Sequence, residues 1–268
     1  PAGRTRPTMR SNRNARSEQY APRDGEPGDV TVRLPVRRPF AGADVLAFVG
    51  VRAIQGVESW DGTTYRRALR LDGGPATVAL HVADDGIAHV AARLRLAAWS
   101  DLGAAVARIR RLLDLDADPA AVDGHLGADA HLGALVARSP GLRVPASVDP
   151  YETAVRAIVG QQVSVSGART VVERLVAGAA GTAGDGADVP VDALRPFSSP
   201  EQLAGAPDGA FSMPATRRDT IRDLAADVAD GTLDLHIGAD PDDVRHGLLE
   251  RRGIGPWTAD YVVLRGLG

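Results

Sequence analysis

Near the end of this 268-residue chain two glycines bracket a single apolar residue, Gly253-Ile254-Gly255, and Pro256, Trp257, Thr258 and Ala259 follow directly. Apolar residues at Val244, Leu248 and Leu249 come before, and a second apolar helical pattern comes after, so two helices are expected to meet in a tight hairpin. Glycine lets the backbone turn sharply, Ile254 would anchor the bend in a core, and Pro256 suits a first helical turn, where a missing N–H costs little. Amides freed at such a bend and at the following helix start can converge on one anion, helped by the helix dipole. A backbone phosphate fits that description. Thr258 is placed to cap the helix or touch the phosphate, and Arg251 and Arg252 add charge beside it. An ordinary glycine-closed turn would share the Gly-x-Gly, so the nucleic-acid reading leans on the Trp-Thr-Ala and on both apolar flanks.

Two further groups invite chemistry. Trp257 and Tyr261 lie four apart, share one helix face and would form an aromatic wall, unless both are core aromatics. Gln161 and Gln162 form a polar pair inside an apolar run, at a helix break marked by Gly160; buried amides need partners, whereas a solvent-facing pair would need none. Asp260 reads as a solvated helix residue.

The rest of the chain must position these groups. At 44% hydrophobic and 24% charged it has apolar material for two or three small cores. Cysteine is absent, which removes disulfides, thiolate zinc sites and iron–sulfur clusters. No stretch reads as a signal peptide or a membrane span, so the cytoplasm is expected. The net charge of -3 hides an uneven distribution, with nine Arg against four acids in residues 1–38. Residues 1–30 are expected to be a disordered, Arg-rich tail. Residues 31–99 carry a strand pattern at Val32, Leu34 and Val36, a helix over 43–55, and strands over 65–71, 76–82 and 87–96, which together predict a small helix-on-antiparallel-sheet domain. Residues 100–268 read as helical, with Asp101 as a cap for the first helix, helices over 119–126, 131–138, 200–203, 215–230 and 240–250, a helical pair over 149–177, and a flexible loop over 178–190. The fold class is therefore α+β. The first residue is Pro1 and the last, Gly268, falls inside an apolar helical pattern, so both ends read as cuts.

Residues 249–264, LERRGIGPWTADYVVL, resemble the hairpin of the helix-hairpin-helix base-excision glycosylase superfamily in its AlkA-type 3-methyladenine DNA glycosylase II branch. Residues 154–175, AVRAIVGQQVSVSGARTVVERL, are similar to that branch's GQQ-type helix junction. Weaker similarity covers LPVRRPF at 34–40, GLRVP at 141–145 and the proline turn at 211–217, in the family's order.

The resemblance implies a TBP-like N-terminal domain and a helix-hairpin-helix domain that everts an alkylated purine, such as 3-methyladenine, from duplex DNA. Trp257 and Tyr261 would then grip the everted base, whose positive charge over an indole gains roughly 0.5 to 2 kcal/mol. By the same resemblance Gln161 would line the base pocket, Gln162 would stand at the wedge position, where many relatives have an apolar residue, and Gly253, Ile254, Gly255 and Thr258 would hold phosphate. Relatives that also nick the strand carry a lysine two residues beyond the last hairpin glycine. That position is Trp257 here and all 31 basic residues are arginine, so a monofunctional hydrolysis by water is implied. The family's catalytic aspartate would fall beyond Gly268, which leaves no catalytic residue to name and predicts an inactive chain. No cofactor is implied, although a monovalent cation at the hairpin is compatible; the partner is alkylated duplex DNA, no membrane is involved, and the protein is expected to be a monomer. Two rival readings are a non-enzymatic helix-hairpin-helix DNA-binding module and a fragment of a fused alkylation-response regulator and glycosylase.

Overall fold

A computed structural model describes residues 28–84, 87–181 and 194–268. Residues 1–27 of the expected Arg-rich tail and most of the expected loop over 178–190 lie outside these residues, while residues 28–30, expected in the tail, open the first strand.

The first unit is a five-stranded antiparallel sheet in the order β1-β5-β4-β3-β2. β1 (Gly28–Pro35), β3 (Tyr65–Leu71), β4 (Gly74–Asp84) and β5 (Ala88–Leu96) match the expected strands closely, and β2 (Glu58–Trp60) is an edge strand that the three-residue pattern did not announce. α1 (Gly42–Gly50) ends five residues earlier than expected. Period-two burial explains the sheet: Leu69 pairs with Ala76, Val78 with Leu94, and Leu80 with Ala92, all facing one core. The β3–β4 turn is closed from outside. Asp101 does not cap the helix that follows it; its carboxylate accepts from the Gly73 amide at 3.0 Å, because the chain folds back there onto the hairpin.

α2 (Leu102–Leu112) buries Ala105, Ile109 and Leu112 in this same sheet core, so the elements on either side of position 99 share one interior. The blocks at 34–40 and 141–145 also meet. Ala41 donates to the Gly141 carbonyl at 3.0 Å and Arg143 to the Arg37 carbonyl at 3.0 Å. Gly141 is at φ +74°, and a Cβ there would come within 2.2 Å of the Pro39 carbonyl oxygen, so this crossing requires glycine.

After α3 (Pro119–Gly127) and α4 (Gly133–Arg138), a second core gathers α5 (Pro150–Val159), α6 (Val165–Ala180), α7 (Pro200–Ala204), α8 (Ala215–Ala229), α9 (Pro241–Leu249) and α10 (Pro256–Val262), with a π turn over Val263–Leu267. Ile54 and Val57, from the connection between α1 and β2, are buried in this second core and tie the two units together. α5 carries most of the weight, with nine of its ten residues buried. Among the described residues no helix is long and apolar enough to cross a membrane.

Candidate nucleic-acid interface and cleft

The hairpin between α9 and α10 takes the shape that its residues predicted. Gly253 sits at φ +89°, and a Cβ there would stand 2.3 Å from Thr220 Oγ1 of α8, so both backbone conformation and space demand glycine. Thr220 Oγ1 donates to the carbonyls of Thr216 and Arg252 and thereby pins the bend. Ile254 is buried, Pro256 opens α10, and nothing lies within 4 Å of where a Gly255 side chain would begin. Gly255 lacks a side chain to cap α10, so the first amides of that helix are left for an outside acceptor.

Two side chains around this bend turn inward. Thr258 is only 4% exposed, and its Oγ1 accepts from Gln161 Nε2 at 3.1 Å, so its hydroxyl is engaged within the protein. Arg251 Nε donates to Asp227 at 2.8 Å and Nη1 to the Gly247 carbonyl, which turns this guanidinium into the protein; Arg252 alone of the pair is exposed. Asp260 is held by Arg245 Nε at 2.6 Å on the surface, as a solvated helix residue would be.

Trp257 and Tyr261 are stacked, with ring centroids 5.3 Å apart and planes 18° from parallel. Trp257 is 69% exposed while Tyr261 packs against the helical core, so the phenol supports an indole that offers its other face outward. Both rings line a cleft of about 410 Å³ between the two units. Gly160 and Val163, on either side of the glutamine pair, line it too. Gln161 does not. Its Nε2 donates to the Gly253 carbonyl at 3.0 Å as well as to Thr258, and its own carbonyl accepts from Arg217 Nη2 at 2.8 Å, so it braces the hairpin from behind. Gln162 is exposed at the tip between α5 and α6, in left-handed backbone at φ +59°. A non-glycine residue held there stores strain of about 1 kcal/mol, a recurrent feature of functional tips.

The floor of the cleft is a buried charge ring that sequence reasoning missed. Arg67 is on the apolar face of β3 and bridges Glu58 of β2 at 3.1 Å and Glu152 of α5 at 2.8 Å. Arg156, one turn along α5, closes the ring against Glu58 at 2.8 Å and against Glu152. Tyr65 donates to Glu58 at 2.5 Å, and the Ile54 amide donates to the other carboxylate oxygen at 2.9 Å. Burial drives the Glu58 carboxyl upward, but Arg156 and then Arg67 outweigh it, so Glu58 sits below its ordinary value and stays charged. Burial and the Glu58 charge push the Tyr65 phenol well up. One signal was available: Arg67 interrupts the Tyr65, Leu69, Leu71 face of a strand, and a charge on an apolar stripe needs a partner.

Residues 31–149 match the model of the AlkA N-terminal domain. The probable bifunctional transcriptional activator/DNA repair enzyme AlkA of Mycobacterium tuberculosis is 44% identical over 241 residues, which cover 90% of this chain and 47% of that protein. The chain thus spans about half the length of these mycobacterial relatives. DNA-3-methyladenine glycosylase 2 of Escherichia coli is 35% identical over 233 residues, or 85% of this chain and 78% of that protein. The solved structure of 3-methyladenine DNA glycosylase from Archaeoglobus fulgidus superposes with a TM-score of 0.69 at 19% identity, covering 89% of this chain and 79% of that one, and so shares the fold. With a helix-hairpin-helix, a stacked indole and phenol at an interdomain cleft, and a relative of that identity and coverage, the chain belongs to the AlkA-type DNA-3-methyladenine glycosylase family.

Proposed function

We propose that this chain binds duplex DNA, everts an alkylated purine into the interdomain cleft and presents its N-glycosidic bond to water, as part of a monofunctional DNA glycosylase. The observation that carries this reading is the exposed Trp257 indole seated on Tyr261 at the edge of a cleft large enough for a purine nucleoside. A phosphate grip alone would need no such platform. The hairpin amides around Gly253, Ile254 and Gly255 hold one phosphate, and the indole stacks on the everted ring, where an alkylated base carrying positive charge gains a cation–π attraction. Gln162, at the protruding tip beside Gly160 and Val163, is placed to fill the gap left in the duplex. Gln161 keeps the hairpin and the tip in register.

In the reaction water attacks the sugar carbon, the glycosidic bond breaks, the base departs and an abasic site remains. Trp257 stands where strand-nicking relatives carry an amine, so no Schiff base forms there. Glu58 and Glu152 are saturated by Arg67 and Arg156, and Asp260 by Arg245, so none of the three is assigned the role of the carboxylate that stabilises the sugar cation. Hydrolysis by this route needs no cofactor. One chain forms the whole cleft, which fits a monomer acting on cytoplasmic DNA.

Equilibrium binding tests the reading, using a duplex with one 3-methyl-3-deazaadenine nucleotide, which resists hydrolysis, and the same duplex with adenine. The chain is expected to prefer the first, and Trp257→Ala is expected to cut that preference by about 5- to 100-fold, the range for one stacked base, while leaving affinity for intact duplex nearly unchanged. Equal losses on both duplexes would remove the base-holding role.

A further inference from the structure

We infer that Arg52 and Arg265, which line the cleft and share the Phe48 ring, clamp the phosphodiester beside the everted nucleotide and give this enzyme a second phosphate site besides the hairpin. The inference rests on the eversion reading above and extends it to a contact made partly by the N-terminal unit.

The cleft is lined by five arginines and two carboxylates, in a chain whose formal net charge is -3. Both carboxylates, Glu58 and Glu152, are consumed by Arg67 and Arg156 at the floor. Three arginines remain toward the mouth. Arg169 leans on Glu173 at 3.5 Å. Arg52 and Arg265 have no carboxylate partner among the described residues: Arg52 donates to the Phe48 carbonyl at 2.8 Å, and neither guanidinium enters an ion pair.

What holds these two together is one aromatic ring. The Arg52 guanidinium lies 3.7 Å from the Phe48 ring centroid and that of Arg265 lies 5.1 Å from the same centroid. Two like charges are therefore kept no further apart than the sum of those distances, on residues 213 positions apart in sequence, by α1 on one side and the π turn after α10 on the other. Burial lowers the Arg265 guanidinium from its ordinary value; Tyr261 opposes that shift and the nearby Arg52 charge adds to it. Such a pair is relieved by an anion placed between the two forks, and a phosphodiester accepts from two guanidiniums at once. Its neighbours identify the source. Arg265 is one helical turn from Tyr261, which supports Trp257, so a base on the indole carries its own backbone past this pair.

The experiment uses the chain with three duplexes: intact, carrying one 3-methyl-3-deazaadenine, and carrying that nucleotide with uncharged methylphosphonates on both sides. Arg52→Met with Arg265→Met is expected to weaken binding to the lesion duplex by about tenfold or more, to spare the intact duplex, and to reduce the salt slope by about one. Methylphosphonates should cost the parent chain a similar factor and cost the double variant almost nothing. The lysine pair, Arg52→Lys with Arg265→Lys, should keep the salt slope. Equal losses on intact and lesion duplexes overturn the inference, as does a methylphosphonate penalty that survives in the double variant. Deoxyadenosine monophosphate bound more tightly than the lesion duplex also overturns it, by making this a free-nucleotide site. A parent chain with no preference for the lesion duplex defeats the eversion reading and this clamp together; a preference indifferent to Arg52 and Arg265 defeats the clamp alone.

Discussion

The floor and the mouth of the cleft are built from the same residue type and behave in opposite ways. At the floor, Arg67 and Arg156 face Glu58 and Glu152, and the four charges cancel within a buried ring. At the mouth, Arg52 and Arg265 share the Phe48 ring and face no carboxylate. Arginine works at the floor as mortar between two units, because removing either sign leaves an uncompensated buried charge. At the mouth no described carboxylate meets it, which is what leaves it open to the anion inferred above. A count of arginines along the cleft would treat the two alike, whereas their partners separate them.

The comparison breaks most visibly through stability. Arg67→Ala leaves Glu58 and Glu152 sharing Arg156 alone, one buried negative charge in excess, and should cost about 3 to 5 kcal/mol, read as a lower midpoint in denaturant with the slope unchanged. A loss below about 1 kcal/mol would mean that the ring is hydrated and that the floor is no mortar. Acid should sharpen the contrast next. Because the Glu58 carboxyl is held below its ordinary value of 4.5 in the folded protein, its contribution is fully present above that value and is lost as pH falls through the lower folded value. Unfolding free energy measured from pH 6 to pH 2 should fall in that window, and Glu58→Gln should flatten the fall; an identical acid limb in the variant would place the sensitivity elsewhere. The smallest effect belongs to the mouth. Arg265→Met removes one of two repelling charges and keeps the stem, so stability should change by less than about 0.5 kcal/mol, in either direction, from pH 5 to 8. A loss comparable to that of Arg67→Ala would show that the mouth is a structural contact after all.

The functional parts of the hairpin were legible from neighbouring residues. Gly253 answers a positive φ and a close approach, Pro256 answers a helix start, and the four-residue spacing of Trp257 and Tyr261 answers their shared face. Each of these is a property of a few consecutive residues and of the stereochemistry of the chain. Thr258 and Arg251 look equally available by that reasoning, yet Gln161, 97 positions from Thr258, and Asp227, 24 from Arg251, turn them inward. The charge ring was less legible still, since Arg67 and Glu152 are 85 positions apart and nothing local says which charge will meet which.

By itself, then, the order of residues determined where the chain turns, which faces are apolar and which rings share a side, since these follow from backbone preference and periodicity. Only the tertiary structure decided which polar groups are spent on each other and which are left facing the cleft. That assignment depends on distances between remote segments, and it is what separates an arginine that holds the protein together from one that waits for an anion.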